Sequence, residues 1–444
     1  MKKIAFGIVL LILAGALAIP KFIGDKAHQE YLKSFAEYPV GRSGISLEQK
    51  SYEQSWFTSR AVTVMKIPLR GPETKFISVV MNSRIVHGPL MFTDQGIALG
   101  LAYVKSDITF ADFPAALQKV LGQYLPRGTI TNAMLLDFNQ FSRDVMRIGA
   151  INYKDDKISL TFGGLNITGV SKLDYSLFQG KIDLPASHLV TDNGAMDIAD
   201  ASGSYDQHKS HDLMLGKAEL NFPQIRITGK QGAVTLEDFR FASNSAEQSG
   251  KLNMGGSIGI RKIIAPIPVT AFQYNIEVNQ LDEKAVALWG EIAKDVQPKP
   301  ADPATALSDP RLQQLLELLL QKDTELKQRF TLDGTNGRLN IDWDTHSAGL
   351  PEGVHIDGTT DRTQLLKAVD SHMIVSIDEK ALMATPFAGM AIPYMQRGMI
   401  VKQGDKLVAD IRLSGGALTV NGIPVPMGKT EDADKSKGSG RKQF

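Results

Sequence analysis

The sequence predicts a mainly β protein with α elements (α+β), an N-terminal transmembrane helix followed by long antiparallel β-meander sheets with a few packed helices. Three observations predict it. An apolar run stands at the extreme N-terminus behind two lysines, and strand-length segments of alternating polarity recur through most of the chain. Helical periodicity is confined to short stretches near residues 25–37, 110–125 and 281–330.

The N-terminal element comes first. Met1-Lys2-Lys3 precedes an uncharged apolar run from Ile4 to Pro20, and Lys21 follows. As a helix this run is about 25 Å long, at the short end of what spans a hydrocarbon core. Two readings compete. Ala16-Leu17-Ala18 is a pattern that signal peptidases accept, whereas the length of the run and the nearness of Pro20 favour an uncleaved anchor. The anchor is the reading taken, with residues 2 and 3 on the cytoplasmic side and the bulk of the chain in the bacterial periplasm.

Size and charge narrow the remainder. With 444 residues, 43% of them hydrophobic, the chain can bury a large core in two or three lobes. Lysine plus arginine (49) nearly cancels aspartate plus glutamate (48), so no nucleic-acid partner is expected. The absence of cysteine excludes disulfides, thiolate metal sites and cysteine nucleophiles.

After a polar helical stretch, Asp25 to Glu37, "AVTVMKIPL" (61–69) and "FISVVMNSRIV" (76–86) read as strands. "FADFPAALQKVLGQYL" (110–125) reads as a short amphipathic helix. From "MRIGAINYKDDKISLTFGGLNITG" to "AFQYNIEVNQL", strands of similar length are separated by Gly, Asn and Asp turns, the pattern of a long antiparallel meander. Asp282 is an N-cap candidate for a helix over 281–296, and "QPKPADPATA" follows as a stiff connector. Ser308 or Asp309 caps the next helix, with Pro310 at its first position and Leu312, Leu315, Leu316, Leu319 and Leu326 along one face. The chain closes on three strands, "GMIVKQG", "DKLVADIRLSGG" and "ALTVNGIPV". The expected organisation is an anchor (1–24), a β-rich lobe (25–280), a helical insertion (281–330), a second β-rich lobe (331–427) and a disordered tail (428–444).

The basic-apolar N-terminus, "SYEQSWFTSRAVTV" (51–64), "HGP" at 87–89 and the terminal "MIVKQGDKLVADIRLSGGALTVNG" together resemble the YdgA family. The resemblance implies an uncleaved inner-membrane anchor, a large β-rich periplasmic domain and no established activity. It supplies no catalytic residues. By architecture alone, strands behind an N-terminal anchor are similar to the AsmA-like envelope proteins, which implies contact with lipid.

Among chemical candidates, Asp206, His208, His211 and Asp212 in "YDQHKSHDL" form the best metal-ligating set, although the segment reads as a polar exposed loop. Asp155-Asp156 sits in a turn, and Asp342 with Asp344 shares one face of a strand, so neither reads as an acid-base pair. No phosphate-binding, Rossmann or hydrolase motif is present, and no cofactor is expected. His87, Gly88 and Pro89 read as a structural motif at a strand end, the imidazole bonded to nearby backbone. Met383, Phe387, Met390 and Met395 in "MATPFAGMAIPYMQ" are the candidate apolar contact, against a buried helix broken by two prolines. The expected function is non-enzymatic: a β-rich surface or groove offered to lipid, to an envelope protein or to copies of the chain. The alternative is a periplasmic metal-dependent hydrolase using His208 and His211.

Overall fold

The computed structural model describes residues 20–26, 28–29, 46–69, 75–111, 125, 127–174, 176–211, 213–230, 232–295, 309–350, 353–356 and 362–426. The fold is mainly β, antiparallel throughout, with few helices. Residues 1–19 of the expected anchor (1–24) lie outside the described residues, and residues 20–26 are helical. Among the described residues no helix is long and apolar enough to cross a membrane. The amphipathic helix expected over 110–125 lies outside them from residue 112 to 124, and Phe110 and Ala111 at its start are strand; the proline-rich connector and the C-terminal tail also lie outside.

The chain divides into two compact units, residues 1–245 with 262–266, and residues 246–261 with 267–444. The first opens with β1 (Ser46–Gln54), β2 (Thr58–Leu69) and β3 (Lys75–His87), then a small separate hairpin of β4 (Leu90–Thr93) and β5 (Gly96–Leu99). β6 (Ala102–Ala111), β7 (Ile130–Leu136) and β8 (Phe141–Ile148) continue the ladder of β1 to β3. The strands that follow come in collinear pairs: β8 with β9 (Ile151–Lys154), then β10 (Ile158–Phe162) with β11 (Leu165–Lys172). β12 (Leu177–Leu184) and β13 (Ser187–Thr191), and β14 (Gly194–Ile198) and β15 (Ala201–Ser210), repeat the arrangement. The unbroken β16 (Leu213–Gly229) pairs with β15 through its first half and β14 through its second, and β17 (Gly232–Gln248) lies along it.

The breaks line up into a crease. Gly149-Ala150, Gly163-Gly164, Pro185-Ala186 and Ala199-Asp200 each interrupt a strand at the same level, and Pro223 of β16 faces Asp238 of β17, whose φ is +53°. The cause is local: proline donates no ladder hydrogen bond, and Gly164 holds a φ of +105°. Register is nevertheless identical on both sides, so each long strand bends without slipping; Phe162 still faces Ile151 as Leu165 faces Ile148.

The second unit contains β18 (Lys251–Ile264), β19 (Val269–Leu281), α1 (Glu283–Asp295) and α2 (Pro310–Leu319). β20 (Glu325–Gly334), β21 (Gly337–Ser347), α3 (Arg362–Lys367) and β22 (Val369–Asp378) follow. α4 (Glu379–Met383), α5 (Ala388–Gln396), β23 (Val401–Gln403), β24 (Lys406–Ser414), β25 (Ala417–Val420) and β26 (Ile423–Val425) complete it. Its ladder runs β18-β19-β20-β21-β22-β24-β25-β26. Both expected caps form: Asp282 accepts from the Lys284 amide at 2.9 Å and Asp309 from the Arg311 amide at 2.9 Å.

Three local expectations are corrected. Leu326 does not extend the leucine face of α2 but sits in β20, because Asp323 adopts φ +72° and the chain then pairs with β19 and β21. "ALTVNGIPV" is two strands, since Asn421 and Gly422 both take positive φ (+50° and +78°) and close a tight hairpin. "GSYDQHKS" is β-strand, not loop. Its alternation of Tyr205 and Gln207 with Ser204, Asp206 and His208 is that of a half-exposed strand, which a count of polar residues conceals.

Candidate binding surface

Directly paired residues, and those two apart along a strand, share a face of a sheet. In the first unit one row runs Met146, Ile167, Ile182, Gly203, Leu220 and Phe241. One level on, Ile148 faces Leu165, Leu184 faces Ala201 and Phe222 faces Phe239, the last two rings 5.8 Å apart. The opposite face is polar: Arg147, Asn166, Asp183, Ser202, Asn221 and Arg240 form its matching row. The sheet is therefore strongly amphipathic.

An amphipathic sheet ordinarily buries its apolar face under a second layer. Toward β2, β3 and β6 this happens, and Ala61, Ile85 and Ala102 form a buried cluster with Tyr52, Val104 and Leu136. Among the described residues, the main packing partners of each strand from β8 to β16 are its ladder neighbours. Met146, Ile167, Ile182 and Leu220 stay half-buried, and Phe241 is 42% exposed. From β3 to β17 the face crosses eight strand spacings of about 4.8 Å, close to 40 Å of contour.

One polar feature interrupts it. Asp144, Gly169, Gly180, Tyr205 and Ala218 form a row in which the Tyr205 ring lies over the two glycines. A Cβ at Gly180 would collide with the phenol, and one at Gly169 would come within 2.8 Å of its oxygen. Phe178 stacks on Tyr205 at 4.6 Å. Burial pushes the Asp144 carboxyl above its ordinary pKa, against hydrogen bonds from Ser142 (2.7 Å) and Ser171.

Past the crease the apolar positions change phase by one residue: Leu160 pairs with Tyr153 and Leu189, and Met196 with Leu189 and Ile227. In a regular strand this would carry them to the other side. The irregular crease residues interrupt the alternation at that level.

The second unit repeats the division. Ile258, Tyr274, Phe330, Ile341, Val375 and Ala409 form an apolar row, while Glu277, Lys327, Asp344, His372 and Arg412 form an ionisable row on the other face. A shallow cavity of about 310 Å³ opens on that charged face. In and beside it Arg329 pairs with Asp342 and Asp344 at 2.9 Å each, Lys327 with Glu325 at 2.9 Å, and Asp410 with Arg412 (2.9 Å) and His372 (3.0 Å). The hydrogen bond from Arg412 holds the Asp410 carboxyl below its ordinary pKa. Such a ladder of cross-strand ion pairs supports strand pairing.

His87 ends β3, fully buried. Its Nε2 shares a 2.9 Å hydrogen bond with the buried Ser59 hydroxyl, and Nδ1 lies 3.4 Å from the Trp56 carbonyl. Gly24 of the 20–26 helical segment packs against the ring, where a Cβ would come within 2.6 Å of Nδ1. Burial lowers the His87 pKa, outweighing the Trp56 and Pro20 carbonyls and Asp25, which favour the charged form. Gly88 packs on the Gly100 carbonyl, and the Gly88–Pro89 bond is cis. The hydroxyl that bonds this imidazole, Ser59, is itself buried, and the ring's neighbours place it between strand and helix.

Asp206 and His208 lie on β15, where Gln179 donates to Asp206 at 2.8 Å, and His211 occupies the following turn with φ +51°. Asp212 lies outside the described residues, among which no group of three or more His, Cys, Asp or Glu could hold a metal ion. Met383, Phe387 and Met390 are exposed on α4, α5 and the turn between them, while Met395 is half-buried. Ile392 and Tyr394 are exposed beside them. The apolar face itself is the feature that motif reading misses, because it appears only when alternation is followed across strands in register.

The family model described as "Bacterial protein of unknown function (DUF945)" matches residues 1–428. No curated protein and no solved structure matches the chain.

Proposed function

Since the chain belongs to the DUF945 family of bacterial proteins, whose function is unknown, we propose that it is a membrane-anchored envelope protein, non-catalytic, whose one-layer sheets hold lipid acyl chains along their apolar face. The observation that carries this reading is the row Met146, Ile167, Ile182, Leu220 and Phe241, apolar in register and half-exposed. At about 0.8 kcal/mol per buried methylene, half-covering a dozen methylenes contributes on the order of 5 kcal/mol. That is a reversible hold rather than a permanent one.

The anchor belongs to the same proposal. Its support is the run Ile4–Pro20 behind Lys2 and Lys3, which puts the N-terminus in the cytoplasm and the sheets in the periplasm of an inner-membrane protein. The YdgA resemblance and the architectural likeness to AsmA-like proteins point the same way. Native mass spectrometry of the full chain, extracted gently from membranes, tests the reading. Phospholipid-mass adducts that survive dilution are expected; a bare polypeptide under every mild condition contradicts it.

A further inference from the structure

We propose that the sheet end carrying His87 rests in the membrane interface, with the outer face of the β4–β5 hairpin against lipid. This rests on the anchor reading above. Leu90 pairs with Leu99 and Phe92 with Ile97, so four large apolar side chains share one face of the hairpin. They are 51%, 66%, 70% and 70% exposed. On the reverse face Met91 is fully buried against Val86 and Tyr103. The hairpin tip is tied down as well, for Asp94 accepts from Tyr103 and from Lys105 at 2.5 Å each. The outward face is thus held by a docked element, at positions where a water-facing hairpin carries polar residues.

The same end of the sheet presents further apolar groups. β2 starts at Thr58, β3 ends at His87, β6 starts at Ala102 and β7 ends at Leu136, so the connections beside these residues lie at one level. Trp56 and Phe57 (51% and 49% exposed) stand in one and Phe138 (54%) in another. Trp56 is of the residue type that favours a membrane interface, and the two phenylalanines add apolar area at the same level.

What covers this surface follows from where the apolar run ends. The apolar run ends at Pro20, and the helical residues 20–26 are fastened at this sheet end. Gly24 presses on His87, and Asp25 accepts from the Gln54 amide at 2.8 Å. His87 to Leu90 is three residues, about 10 Å of chain. A span ending at Pro20 therefore leaves the bilayer beside the hairpin, and the bilayer surface is the occupant.

The absence of cysteine allows single-thiol labelling of the full chain. Ile97→Cys, Asp156→Cys in the distant β9–β10 turn, and Ile12→Cys in the apolar run would each carry a polarity-sensitive fluorophore. The labelled chains are reconstituted in phosphatidylethanolamine–phosphatidylglycerol vesicles with and without nitroxide-bearing lipid. Expected are a blue shift and nitroxide quenching at 97 and at 12, and neither at 156. A water-like, unquenched label at 97 with quenching at 12 overturns this inference and leaves the anchor standing. A blue-shifted but unquenched label at 97 means that protein covers the hairpin, which also overturns it. An unquenched label at 12 overturns the anchor reading and this inference with it.

Discussion

A methyl group added at Gly88 would run into the Gly100 carbonyl oxygen, a backbone atom that cannot swing aside. Gly88→Ala is accordingly expected to cost more than the roughly 0.5–3 kcal/mol of an ordinary substitution, read as a lower midpoint in urea. Ser59→Ala leaves a buried imidazole nitrogen unpaired, at about 1–3 kcal/mol. His87 also imposes a pH dependence. Its folded pKa lies below the ordinary value of about 6.5, so the unfolded chain binds the proton in the interval between the two. The stabilising contribution is fully present above about pH 6.5 and is lost as pH falls through that interval. Carboxylates such as Asp94 and Asp410, whose pKa values are lowered, lose their contribution only below about pH 4. A melting temperature that drops from pH 7 to pH 5.5 in the wild type, with a flatter profile in His87→Asn, is the expected pair of curves. Equal slopes would show that His87 is not the titrating group.

Among the elements, the crease is where local stability is expected to be lowest. Gly149, Gly163, Ala186 and Ala199 donate there to Thr129, Ser187, Asp200 and Gln224 instead of to a regular ladder, so the amides of Ala150, Gly164 and Asp200 should exchange with solvent faster than those of Ile167 or Ile182. Uniform protection along β10 and β11 would contradict a bend at that level. Asp309→Ala should cost about 0.5–2 kcal/mol by removing the α2 cap. Much of this level could be read from sequence. Alternation marked most strands, and Asp282 and Asp309 marked two helix starts. The misses have physical causes: Leu326 fits a helical stripe and a strand equally until Asp323 reverses the chain, and Asn421-Gly422 closes a hairpin only if both take positive φ. The β15 strand hid behind its polar outer positions.

Across the whole molecule, the informative property is that each unit divides apolar from polar residues across a sheet. Sequence periodicity gives the alternation within one strand but not which strands lie side by side, so the joining of Met146 to Ile182 and Phe241 emerges only from the ladder. The same reasoning explains why Asp206, His208 and His211 look like ligands in one dimension. In the fold, two stand on β15 and one in the turn beyond.

Matched substitutions on the two faces separate lipid held by the apolar row from lipid carried along nonspecifically. Ile182→Glu charges the apolar row of the first unit, and Thr168→Glu charges the polar face of the adjacent strand. With melting temperatures checked for both, native mass spectrometry after identical gentle extraction should find phospholipid on the wild type and on Thr168→Glu, and a marked loss on Ile182→Glu. Equal retention by the two folded variants, or lipid on neither them nor the wild type, would contradict the role assigned to the apolar face.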